Sequence, residues 1–245
     1  MTPAEITAII SASTSVGTIS LKIVDEKLVH PLKILNAWLT GKRLLIVGPS
    51  GAGKTRFLNY IKHGQLSPAG PHDKTYKPES TSSRQVEFGR NYKFKIKATM
   101  DSIGQDSPAD QAERVRRENP NELIIVMNSG SNGDDECIAW VTAFLTVINK
   151  LISNPNNLSR LENIMILLNK IDQYPVDVVK AKYDNLVALP NKILTSLSEP
   201  QRNSIAVQLT VLVETEGFGE KLAHAALKLM AYRSQNARGV PLRTR

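Results

Sequence analysis

The sequence predicts an α/β fold with three layers, a mostly parallel central sheet and one antiparallel hairpin strand. Three observations point to it. Strand-like apolar runs alternate with helical stretches from residue 43 onward. Two of those runs, ELIIVMN and NIMILLN, are continuously apolar, as strands covered on both faces are. One pair of strand-like segments, RQVEF and YKFKIKATM, is separated only by Gly89, Arg90 and Asn91, which is a hairpin signal.

The elements follow in chain order. Residues 1–42 read as a helical N-terminal extension, with Thr2 as N-cap, Pro3 at the first helical position and Glu5 completing a capping box. Farther along it, Leu21, Val24, Leu28, Leu32, Leu35 and Leu39 recur at steps of three and four, an apolar stripe interrupted at Pro31. Such a stripe packs either on its own domain or on a partner. The strand RLLIVG comes next, then a glycine-rich turn and the helix KTRFLNYIKHG. A polar loop from Gln65 to Ser83 leads into the hairpin, whose second strand puts Tyr92, Phe94, Ile96 and Ala98 on one face and Lys93, Lys95 and Lys97 on the other.

Between the two apolar strands lies a helix around CIAWVTAFLTVINKLI, and a second helix, VDVVKAKYDNLVALPNKILTSL, leads to a last strand, SIAVQLTVLV. The closing helix runs through GEKLAHAALKLMAYR, so the domain is expected to span residues 43–232, with a basic C-terminal tail at 233–245.

Composition narrows the setting. Of 245 residues, 41% are hydrophobic and 22% charged, enough apolar material for a sizeable core. The single cysteine, Cys137, excludes an internal disulfide and favours a reducing, cytoplasmic location. The first residues carry Glu5 and no basic cluster, unlike a secretory signal, and the uncharged run from Ile6 to Leu21 is too polar for a membrane span. Neither common lipid-anchor motif is present. The net charge of +8 suits peripheral contact with an anionic surface, whereas zinc-finger spacing and aromatic RNA-binding motifs are missing. His30, His63, His72 and His224 are scattered, without metal-ligand spacing; Trp38 and Trp140 fall on apolar helix faces and read as packing residues.

Two motifs carry chemistry. GPSGAGKT, Gly48 to Thr55, matches G-x-x-x-x-G-K-[ST] between a buried strand and a helix, which makes the expected fold that of a P-loop NTPase. Gly48, Gly51 and Gly53 let the backbone curl, so that the N–H groups of this loop, Ser50 and Ala52 included, surround a phosphate at the positive end of a helix. Lys54 would reach the β- and γ-phosphates and the Thr55 hydroxyl would ligate Mg²⁺. The second motif is LLNKID, with Asn169, Lys170 and Asp172 at the end of a buried strand. The Asp172 carboxylate can accept from both guanine N1–H and the exocyclic amine, whereas adenine presents an acceptor there. Asn169 can bond the base edge or brace the phosphate loop, and the stem of Lys170 can cover the ring.

With these two motifs in this order the chain resembles the Ras-like small GTPases, within the translation-factor-related class of P-loop GTPases, over about residues 43–232. The resemblance implies GTP/GDP and Mg²⁺ as ligands and a protein effector or activator as partner. It makes MDSIGQD, after the hairpin, the second switch: Asp101 holds Mg²⁺ through water, the Gly104 N–H senses the γ-phosphate, and Gln105 orients the attacking water. It also asks for a threonine on Mg²⁺ and the γ-phosphate in the preceding loop; Thr81 is chosen, with Thr75, Ser80 and Ser82 as alternatives.

The sequence departs from that pattern at Ile103, where the family carries a small residue or proline. It also departs in the base-supporting loop, expected near VETEGFG, and in the long segment from Gln173 to Asn203. Ser50 replaces a glycine. The expected activity is GTP hydrolysis to GDP and phosphate, slow without an activating partner. A non-hydrolysing, GTP-bound interaction module is one alternative. A P-loop ATPase or nucleotide kinase is another, which leaves LLNKID unexplained.

Overall fold

The computed structural model describes residues 42–63, 65–66, 80–81, 84–88, 92–101, 107–129, 134–154, 157–197, 202, 205–212 and 218–236. The expected N-terminal extension up to residue 41, with Trp38, lies outside them, as do Gly104, Gln105 and most of the expected base-supporting loop. The chain forms an α/β sheet structure in the order β1 (Lys42–Val47), α1 (Lys54–His63), β2 (Ser80–Thr81), β3 (Arg84–Phe88), β4 (Tyr92–Asp101), α2 (Pro108–Glu118), β5 (Glu122–Asn128), α3 (Asp134–Ile152), β6 (Asn163–Asn169), α4 (Val176–Ile193), β7 (Ala206–Leu209) and α5 (Phe218–Asn236). A 3-10 turn, Ile171–Gln173, separates β6 from α4.

The strands lie side by side as β2-β4-β1-β5-β6-β7, and β3 also pairs with β4. Every pairing along β4-β1-β5-β6-β7 is parallel, while β2 and β3 run antiparallel to β4. Parallel neighbours need crossovers, and the helices supply them on both faces. One core unites Ala112 and Val115 of α2, Phe144 and Ile148 of α3, and Val179 and Leu186 of α4 with Leu123, Ile125, Ile166 and Leu168 of the sheet. The other packs Phe57 and Ile61 of α1 and Ala223 and Leu227 of α5 on Leu44, Ile46, Ile124 and Leu167. Neighbouring strand residues therefore feed opposite cores, and β5 and β6 read as unbroken apolar runs because both of their faces are covered.

Local sequence sets the ends of α2. The Ser107 hydroxyl accepts from the Asp110 N–H at 3.2 Å and Pro108 occupies the first turn, where its missing N–H costs nothing. At the other end Asn119 adopts a left-handed conformation, φ 42°, and its N–H closes on the Val115 carbonyl. Trp140 packs against the first core and stacks on Phe144 with 5.2 Å between ring centres, and Cys137 is buried beside them.

Several boundaries differ from expectation. The first strand opens one residue earlier, at Lys42, and the last helix runs to Asn236, past the Arg233 that ends the expected helical stretch. The final strand keeps only Ala206–Leu209, the four residues that pair with Met165–Leu168 of β6. Among the described residues no helix is long and apolar enough to cross a membrane.

The order of the strands also positions a site. From β1 the chain passes to β4 on one side, then crosses back to β5 on the other, so the connections diverge between β1 and β5. The carboxyl ends of two such strands border the crevice where open α/β sheets receive ligands. Gly48 is the first residue beyond β1 at that point.

Candidate functional site

The Gly48–Thr55 loop leaves β1 and enters α1, as its flanking sequence predicts. Gly48, Gly51 and Gly53 all have positive φ, at 142°, 72° and 105°. Two of them are also fixed by close approach. A Cβ on Gly48 would stand 2.1 Å from the Val126 carbonyl oxygen of β5, and one on Gly53 would stand 2.4 Å from Asn169 Nδ2. At Gly51 the space is open. Ser50 and Gly51 are exposed, Gly53 and Thr55 half-buried, and Ala52 fully buried.

Lys54 begins α1, is 6% exposed, and donates from Nζ to the Pro49 carbonyl at 2.9 Å. Its ammonium therefore folds back over the loop that precedes it, where the helix start adds its own partial positive charge. Burying a lysine is costly unless polar groups compensate, and the Pro49 carbonyl is one such group here.

The second motif meets the first through Asn169. Its Nδ2 donates to the Ala52 carbonyl at 2.8 Å and its Oδ1 accepts from the Leu212 N–H at 2.9 Å. Of the two roles open to Asn169, bracing the loop is the one the structure displays. The same bonds bring the segment after β7 alongside the loop, a contribution from Leu212 that the sequence did not reveal. Lys170 takes a left-handed conformation, φ 62°, and is half-buried. That turn presents Asp172, whose Oδ1 is buried without a hydrogen-bond partner among the described residues. A lone buried carboxylate oxygen fits a ligand that brings N–H donors, as a guanine edge does.

The remaining expected residues are placed by backbone only. Asp101 ends β4 opposite Ile46 of β1, two residues before Gly48. Thr81 lies in β2 opposite Thr99 of β4, so both stand near the carboxyl end of the same strand. Gly104 and Gln105, with Ile103, lie outside the described residues.

Two buried polar residues escaped the motif reading. Gln111 of α2 is fully buried and bonds Gly48 twice, from Nε2 to the Gly48 carbonyl at 3.1 Å and to Oε1 from the Gly48 N–H at 2.9 Å. The one local hint is that Gln111 falls within the buried stripe of Ala112 and Val115. Lys182 of α4, 4% exposed, donates to the Ser129 carbonyl at 2.6 Å, while the Ser129 N–H reaches the Asn169 carbonyl at 2.8 Å. Lys182 therefore supports the end of β5 beside the end of β6. Burial pushes the nearby Cys137 thiol up to about 11, with Lys182 opposing weakly, so this cysteine is not an activated nucleophile.

No protein-family model matches the chain, and no curated protein matches it significantly in sequence.

Proposed function

We propose that the chain is a GTP-binding molecular switch on a P-loop NTPase fold, hydrolysing GTP to GDP and phosphate with Mg²⁺ to control a partner protein. The observation that carries this reading is the Asn169 brace. It ties the Gly48–Thr55 loop to the turn that bears Asp172, which supports reading the two as parts of one nucleotide site. A phosphate loop alone would suit an ATPase equally well; Asp172 favours guanine.

In this mechanism a water attacks the γ-phosphorus in line while the bond to the β–γ bridging oxygen breaks. The Lys54 ammonium and the loop N–H groups hold the β- and γ-phosphate oxygens as charge shifts towards the leaving group. Thr55, Thr81 and, through water, Asp101 would hold Mg²⁺, which when bound neutralises phosphate charge. Gln105 orients the attacking water and Gly104 donates to the γ-phosphate. The backbone positions of Asp101, beside Ile46 of β1, and of Thr81, on the other side of β4, support those roles.

Titration with GTP and ATP tests the site, and ATP preference would sink the guanine argument. Asp172→Asn is the sharper test, because it exchanges an acceptor for a donor. Affinity for GTP should fall by about a hundredfold and xanthosine triphosphate, with an acceptor at the matching ring position, should gain. An unchanged preference would mean that another group reads the base. Single-turnover phosphate release then distinguishes a switch from a module that holds GTP without hydrolysing it.

A further inference from the structure

We propose that Gln111 is a positioning residue of the phosphate loop, through which the placement of α2 sets nucleotide affinity. The inference rests on reading Gly48–Thr55 as the nucleotide site. Its basis is geometric. β1 pairs with β4 as far as Ile46 and with β5 as far as Val47, so Gly48 is the first residue beyond the parallel ladder. Its N–H and carbonyl are buried there and require partners. One side-chain amide, 63 positions farther along the chain, supplies both, at 2.9 and 3.1 Å. Gln111 thus does for Gly48 what a neighbouring strand does for residues within the sheet.

Position makes this pairing more than packing. Gly48 has φ 142° and its Cα already lies against the Val126 carbonyl, so its peptide planes have little room except where Gln111 holds them. Those planes set the direction in which the chain turns through Pro49 and Ser50 towards the N–H groups that face an anion. Gln111 in turn cannot move independently of α2, which is capped at Ser107 and anchored in the core by Ala112 and Val115. The helix begins seven residues after Asp101, on the segment that returns from β4 to β5. Linkage is reciprocal: if α2 placement changes nucleotide affinity, bound nucleotide changes α2 by the same free energy.

Two substitutions separate this role from simple packing. Gln111→Met keeps the length and removes both bonds. Gln111→Glu keeps the acceptor for the Gly48 N–H but sets a carboxylate oxygen against the Gly48 carbonyl. In the full chain with Mg²⁺, both variants should release a fluorescent GTP analogue about tenfold faster than wild type. The defect of Gln111→Glu should shrink as pH falls and protonation of the introduced carboxyl restores a donor. The rise in Tm on adding GTP should also shrink in both, beyond any fall in the ligand-free Tm. In the wild-type chain, GTP should slow hydrogen exchange across residues 108–118. Wild-type release rates in the variants, or exchange in α2 indifferent to GTP, would overturn the proposal and leave Gln111 a packing residue. Failure of the wild-type chain to bind GTP would instead overturn the nucleotide reading itself.

Discussion

The Gly48–Thr55 loop and the Ile171–Gln173 turn are joined by Asn169, yet the protein uses their polar groups very differently. In the loop the Gly48 peptide groups are taken by Gln111, the Ala52 carbonyl by Asn169 and the Pro49 carbonyl by Lys54. Its shape is set by the protein before any ligand arrives. In the turn, Asp172 Oδ1 is buried and has no partner among the described residues. The contrast teaches a division of labour. On the proposed reading, a phosphate chain held by many weak donors favours a preorganised loop, and a base chosen by one strong acceptor favours a turn that leaves that acceptor unspent.

Gly48 is the loop position with least room for a side chain. Gly48→Ala would push a Cβ to within 2.1 Å of the Val126 carbonyl, a backbone atom that moves only if β1 and β5 part. Positive φ adds to the cost. Stability should fall by about 3 kcal/mol, measured as the denaturant midpoint of the ligand-free chain. A change under about 1 kcal/mol would show that the loop is softer than its bonds imply.

Lys54→Met comes next, and its effects on stability and on affinity should be unequal. Methionine keeps the length of the side chain and removes a buried charge together with its bond to the Pro49 carbonyl, two opposed effects that should leave stability within about 1 kcal/mol of wild type. GTP affinity should fall by about a hundredfold, measured by titration, because a charge-assisted contact with the phosphates is lost. Equal losses of stability and affinity would mean that Lys54 belongs to the core and not to the ligand.

How much of this was legible in sequence follows the same division. β5 and β6 could be read because burial on both faces leaves only apolar residues in their interiors, Leu123–Met127 and Ile164–Leu168. The start of α3 could not, because its first turn, Asp134, Asp135 and Glu136, carries no apolar period; the helix became visible only from Cys137. In the candidate site, Lys54, Asn169 and Asp172 could be singled out because they fall in short motifs of fixed residue types, and the structure brings the first motif and Asn169 into contact. Gln111 was not, because a side chain that pairs with backbone far away in sequence leaves no local pattern. Asn169 lay between these cases: the motif located it, and only the bond to Ala52 chose the brace over the base edge.

A carboxylate oxygen buried without a donor is held at a desolvation cost that a neutral amide shares only in part. Asp172→Asn should therefore stabilise the ligand-free chain slightly, by about 0.5 kcal/mol, while leaving the loop's own hydrogen bonds intact. With saturating GTP the order should reverse, because wild type gains a pair of charge-assisted bonds that the variant cannot make. Thermal unfolding of both proteins, with and without GTP·Mg²⁺, measures the crossing directly. If Asp172→Asn destabilises the ligand-free chain, the carboxylate is already serving the fold, and the contrast between a spent loop and an unspent turn fails at the residue on which it depends.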